Sequence, residues 1–176
     1  MQQERVHRVT NFTAVASFAA FAISMPAAAG RPPGGREATE RMTARSLVAV
    51  ASGRAAAKLG RPECREVLSD FRTAEGRRLS EVLEERGFGA VEYLAKLIFL
   101  DGRNVPRCAG GDVAAGASPG SPYIAVCKET FARVQADDPG LAANVVIHEM
   151  LHAIGLGEDP PTSEEITRQV AKRCGR

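Results

Sequence analysis

The stretch from Asp138 to Gly155 constrains the fold more than any other part of this 176-residue chain. Its apolar residues Ile147, Met150, Leu151 and Ile154 fall on one side when each residue advances about 100°, as on an α-helix, and His148, Glu149 and His152 turn away from that side. Both ends are marked. Asp138 suits an N-cap with Pro139 at the first helical position, and Gly155 stands where a left-handed residue closes a helix. The spacing predicts a helix with a core face and a chemistry face.

The chemistry face carries the pattern His148-Glu149-x-x-His152. Two imidazoles four residues apart lie one turn apart on the same side, so both can reach one Zn²⁺ at about 2.0–2.1 Å. The carboxylate between them is then placed to act as general base on water beside the metal. The plainer alternative is one histidine satisfied in the core and the other at the surface. The scarcity of histidine argues against it, because the only other one is His7.

Composition names no partner. A hydrophobic fraction of 44% with 25% charged residues is ordinary for a globular chain. A net charge of +2 with scattered arginines offers no basic block for nucleic acid or a membrane surface. The N-terminus reads as an export signal: Arg5 and Arg8 come first, Phe12 to Ile23 is apolar, and Ala27-Ala28-Ala29 suits cleavage. Residues 1–29 are therefore expected to be removed, leaving 30–176 as a single secreted or periplasmic domain with no lasting membrane attachment. An uncleaved anchor is the alternative, weakened by Thr13, Ser17, Ser24 and Pro26.

Four cysteines, all within 30–176, favour disulfides in an exported chain. Of three pairings, Cys108 with Cys127 closes a loop rich in Gly, Ala, Ser and Pro, and Cys64 with Cys174 ties the start of the domain to its end. Cysteine ligation of zinc is disfavoured by the lack of any CxxC pair.

Along the chain, Gly30 to Gly35 reads as a flexible start, and Glu37 to Leu59 as a helix with Met42, Leu47, Ala49, Val50, Ala56 and Leu59 on one stripe. Residues 30–60 either pack on the domain or form a removable pro-segment. Short helices follow at Cys64 to Phe71 and Leu79 to Arg86, then a buried strand at Leu94 to Leu100 and a loop from Val105 to Gly120. Tyr123 to Cys127 reads as a second strand, Thr130 to Gln135 as a helical link, and Glu164 to Arg173 as the final helix. The expected class is α+β: a short mixed sheet, an active-site helix and a C-terminal helix, stapled by disulfides.

With His148, Glu149, His152 and Gly155 in place, the chain resembles the zincin metallopeptidases, and its HExxHxxGxx spacing resembles their metzincin branch. It is also similar to small exported bacterial proteins with HELLHxLGLGE endings and a closing cysteine. The resemblance implies a zinc-dependent hydrolase of peptides or proteins in which Glu149 is catalytic, His148 and His152 hold the metal, and the tenth position after the first histidine, Glu158, is the third ligand. That branch usually has His or Asp there and a methionine turn, whereas no methionine follows Met150. Asp159, Glu164 and Glu165 stay open as third ligands, although Thr162 to Glu165 also fits a helix capping box. The resemblance further implies an edge strand at Tyr123 to Cys127 along which an extended substrate pairs, and Tyr123 or Arg168 as candidate oxyanion stabilisers. A non-catalytic exported metal-binding or interaction domain is the rival class, and a purely structural helix the third.

Overall fold

The computed structural model describes residues 44–175. The signal segment 1–29, the start at Gly30 to Gly35 and the first part of the Glu37 to Leu59 helix lie outside the described residues. Along the chain come α1 (Ala44–Leu59), α2 (Pro62–Arg65), α3 (Val67–Asp70), α4 (Leu79–Glu85), α5 (Ala90–Leu94), β1 (Ile98–Asp101), β2 (Ala115–Ala117), β3 (Tyr123–Val126), α6 (Lys128–Asp137), α7 (Pro139–Ile154) and α8 (Ser163–Cys174). The class is α+β, as expected.

Helix α7 is the axis of the molecule, with α1, α6, α8, α4 and the sheet packed around it. Its start follows the expected chemistry: the Asp138 carboxylate accepts from the N–H groups of Gly140 and Leu141, both at 2.9 Å. Its end is a Schellman turn, in which Leu156 N–H donates to the Leu151 carbonyl and Gly155 N–H to that of His152. Gly155 has φ of 140°, which an L side chain rarely adopts.

Helix α1 buries Leu47, Val48, Ala51, Ala55 and Leu59. Ala49 and Val50 are exposed, so the stripe expected from the sequence is rotated. Ala51 and Ala55 are fully buried where α1 packs on α7, and the expected stripe held other alanines, Ala49 and Ala56, in their place. Lys58 then ties α1 to α7 and the C-terminus, donating to Gly140 O, Asn144 Oδ1 and Gly175 O at 3.1, 2.8 and 2.7 Å.

The sheet has the order β1-β3-β2, with β1 parallel and β2 antiparallel to β3. This corrects two expectations. Tyr123–Val126 is the central strand, flanked on both sides, and the open margins belong to β1 and β2. The apolar run at 94–100 is not one buried strand: Gly89 and Glu92 start a helix there, and the strand proper begins at Ile98. Ile98 and Leu100 are 44% and 46% exposed, because they stand on the sheet face opposite the packed Phe99, beside the exposed Tyr123. The expected loop at 105–120 contains a 3₁₀ turn at Pro106–Cys108 and strand β2, whose Ala-Gly-Ala sequence carries no β-propensity signal. The segment at 64–71 is two single turns of helix instead of one helix.

Both expected disulfides are present, Cys64–Cys174 and Cys108–Cys127. The first joins α2 to the last turn of α8, and the second joins the 3₁₀ turn to the residue after β3. Beside the first, Asp70 of α3 accepts from Arg173 Nε and Nη2 of α8, both at 2.7 Å. These bonds hold the Asp70 carboxyl below its usual range, helped by Gln169 and opposed by burial. A carboxylate with a lowered folded-state pKa stabilises the fold above its unfolded pKa and loses that contribution as pH falls through the folded value. Asp70→Asn is therefore expected to destabilise by about 1 kcal/mol at neutral pH, with the difference from the unsubstituted protein vanishing below the folded pKa in pH-dependent thermal melts.

Candidate metal centre

His148 and His152 lie on consecutive turns of α7, as the sequence predicts, and both are buried. Glu149 is buried too, at 6% exposure. The helix is thus covered on its chemistry face as well as its core face, which the two-faced pattern alone did not indicate. β2 and α8 form the cover. Burying imidazoles and a carboxylate is costly unless their polar atoms are met, and the surrounding elements meet most of them.

The Nδ1 atom of His152 lies 2.7 Å from the carbonyl oxygen of Leu156. A carbonyl can only accept, so Nδ1 carries the proton and Nε2 presents its lone pair. The Nδ1 atom of His148 is 3.1 Å from Thr167 Oγ1 on α8, whose hydroxyl can accept a proton from it in the same way. The two Nε2 atoms face each other at 3.0 Å. Glu158 Oε1 lies 3.3 Å from His152 Nε2 and 3.9 Å from His148 Nε2.

These three atoms converge on one point. Ligands arranged tetrahedrally at about 2.0–2.1 Å from one ion lie about 3.3 Å apart, which matches the separations. The group His148, His152 and Glu158 could hold a metal ion. Burial pushes the His148 imidazole down to about 4, the neighbouring His152 adds to the effect, and Glu158 opposes it. The ring is therefore neutral near pH 7, as a metal ligand must be.

The other carboxylates considered as third ligands are engaged elsewhere or point away from the group. Glu165 closes the capping box with Thr162, its Oε2 accepting from the Thr162 N–H at 2.9 Å. Glu164 pairs with Arg168 at 3.0 Å. Asp159 is exposed and outside the cluster.

Glu149 faces the cavity beside the histidines. Burial pushes its carboxyl up to about 7, while the Ala117 peptide N–H and the Arg107 guanidinium pull it back part of the way. Its Oε2 is buried with no hydrogen-bond partner. The cavity holds about 270 Å³ and is walled by Val113, Ala115, Val134, Leu141 and Val145, with His148 and Glu149 at one side. Tyr123 and Arg168 do not line it; Tyr123 is half exposed at the start of β3.

Three participants had no signal in the sequence. Thr167 and the Leu156 carbonyl orient the histidines, and Arg107 acts on Glu149. Thr167 and Arg107 are placed by chain segments that meet α7 only in the folded state, whereas Leu156 follows α7 directly through the Gly155 turn. Comparisons with known protein families, curated proteins and solved structures find no match to the chain.

Gly155 links this geometry to the backbone. A Cβ there would lie 3.1 Å from Thr73 Cγ2, and the positive φ is strained for any other residue. Gly155→Ala is expected to cost at least about 1 kcal/mol in chemical denaturation. By displacing Leu156 it should also release the His152 Nδ1 proton to solvent, visible as loss of a protected imidazole N–H signal in NMR.

Proposed function

We propose that the chain is an exported zinc-dependent peptidase in which His148, His152 and Glu158 hold the metal and Glu149 is the general base. The observation that carries this reading is the convergence of His148 Nε2, His152 Nε2 and Glu158 Oε1, with His152 locked by the Leu156 carbonyl so that its Nε2 lone pair faces the other two. Two imidazoles and one carboxylate form a donor set suited to zinc, with a position left for substrate or water.

Bound Zn²⁺ supplies Lewis acidity toward water and toward a peptide carbonyl oxygen. Glu149 would take the proton of the attacking water on its unpartnered Oε2. Its raised affinity for a proton suits that task near neutral pH. The new C–O bond forms as the amide C–N bond breaks, and the same proton passes from Glu149 to the leaving nitrogen. The Ala117 N–H keeps the carboxylate oriented through both transfers.

The substrate track is β2 instead of the strand expected from the resemblance. Cys127 N–H donates to Ala114 O, so Ala114 and Cys127 form a hydrogen-bonded pair, and Gly116 is the next one in register. Ala115 and Ala117 therefore turn their main-chain groups to the margin beside Glu149, where the Ala117 N–H is taken by the Glu149 carboxylate and the Ala115 N–H and both carbonyls face outward. An extended peptide can add there as a further strand.

Metal analysis of untagged protein is expected to give one zinc per chain. Glu149→Gln should keep that zinc while hydrolysis of an unfolded test protein falls on the order of 10²–10⁴-fold. Retained hydrolysis by Glu149→Gln would sink the mechanism, and zinc-dependent melting without any turnover would identify a non-catalytic metal domain. Thr167→Val, which removes the partner of His148 Nδ1, should weaken zinc binding on the order of tenfold in a competition titration.

A further inference from the structure

β2 sorts its two faces. The Ala115 and Ala117 side chains face α7, and Ala115 lines the cavity. Gly116 faces the other way, where it has no side chain, and Arg107 occupies the space. A Cβ built on Gly116 would lie 2.7 Å from Arg107 Nη1 and 2.8 Å from its Cδ. The glycine is what allows a guanidinium to lie flat against the strand.

Arg107 is held there covalently at one remove. It sits in the 3₁₀ turn Pro106–Cys108, and Cys108 is bonded to Cys127, which is itself hydrogen-bonded to Ala114 just before β2. Gly102 packs against this staple, since a Cβ there would lie 2.6 Å from Cys108 Sγ. Yet the residue is exposed, and among the described residues its guanidinium makes no hydrogen bond or salt bridge. An exposed guanidinium, whose charge also acts on Glu149, thus lies across the strand that borders the cavity.

The pleat determines what meets it. In an antiparallel pair, side chains opposite each other stand on the same face, about 4.5–5.5 Å apart at Cβ, and neighbours along a strand alternate. A peptide residue opposite Gly116 therefore places its side chain beside the guanidinium. The residue on either side turns toward α7, where the apolar cavity opens. The charges divide in the same way: Asp112, Glu149 and Glu158 lie on the cavity and metal side, and Arg107 lies against the Gly116 face.

We infer that Arg107 is a specificity-determining residue that selects extended peptides with a carboxylate opposite Gly116 and an apolar side chain next to it for the cavity. The inference rests on the reading that a peptide pairs with β2, and it is independent of whether that peptide is cleaved. The carboxylate is either an acidic side chain or a chain terminus.

The test measures binding, by fluorescence anisotropy, to the full chain carrying Glu149→Gln so that no turnover intervenes. The probes are three labelled peptides: the pentapeptide Ala-Leu-Glu-Leu-Ala blocked at both ends, its blocked Gln counterpart, and the tripeptide Ala-Leu-Gln with a free C-terminal carboxylate. One carboxylate-bearing probe is expected to bind on the order of tenfold more tightly than the blocked Gln peptide, the scale of one charge-assisted pair. The probe that gains identifies the source. Adding Arg107→Gln should abolish the gain and Arg107→Lys should restore part of it, with unchanged melting of both. On the Arg107-containing protein, raising salt to about 0.5 M should shrink the gain, which checks the charge without any substitution at 107. Equal binding of all probes, no binding of any, or a gain that survives Arg107→Gln overturns the inference. Absence of hydrolysis by the chain with Glu149 intact, with this binding pattern present, would count against the peptidase reading and leave Arg107 its role.

Discussion

Two histidines and a glutamate buried on one helix must have their polar atoms met, and the rest of the fold is arranged around that requirement. Helix α7 cannot satisfy them itself, because its own carbonyls and amides are used in its ladder. The Schellman turn contributes the Leu156 carbonyl to His152, α8 contributes Thr167 to His148, and β2 brings the Ala117 amide to Glu149. Of these three residues only Glu149 keeps a buried atom without a partner, its Oε2 at the cavity, while the two Nε2 atoms face each other and Glu158 Oε1 on the inner side. The result is a group of two imidazoles and a carboxylate that could hold a metal ion.

Each partner of α7 is pinned from a distance. Thr167 can reach His148 only if α8 holds its register against α7, and the far end of α8 is fixed by Cys174–Cys64 and by the Asp70 bonds to Arg173. β2 is three residues long and made of alanine and glycine, so its own pairing is weak. The Cys108–Cys127 bond compensates by tying the preceding turn to the end of β3. By the chain-entropy account, each closure is worth about 3–5 kcal/mol against the unfolded chain. Both bonds thus lie one segment away from a group that touches the site. Lys58 does comparable work at the other end of α7, joining its first turn to α1 and the chain end.

The sheet shows how small residues can carry information that bulk does not. Gly116 admits Arg107, Ala51 and Ala55 admit α1 to α7, and Gly155 permits the turn that orients His152. A search for apolar stripes passes over all of them. It passed over β2 as well, and the family resemblance alone then placed β3, the central strand, at the margin.

Much of the site could be read from the sequence because it is local. The spacing of His148, Glu149 and His152, the Asp138 cap, the Gly155 turn and the Thr162 capping box act within one or two helical turns, where 3.6-residue periodicity fixes which side chains share a face. Cysteine number and placement gave the staples. The strand order, the exposure of β1, the burial of the chemistry face and the identity of Arg107 and Thr167 as its neighbours were decided by tertiary structure alone. They depend on contacts between residues far apart in the chain, for which no local propensity exists. Glu158 stands between these cases: it is near in sequence, but the position of its carboxylate relative to Asp159, Glu164 and Glu165 was settled by how the chain leaves Gly155 and enters α8.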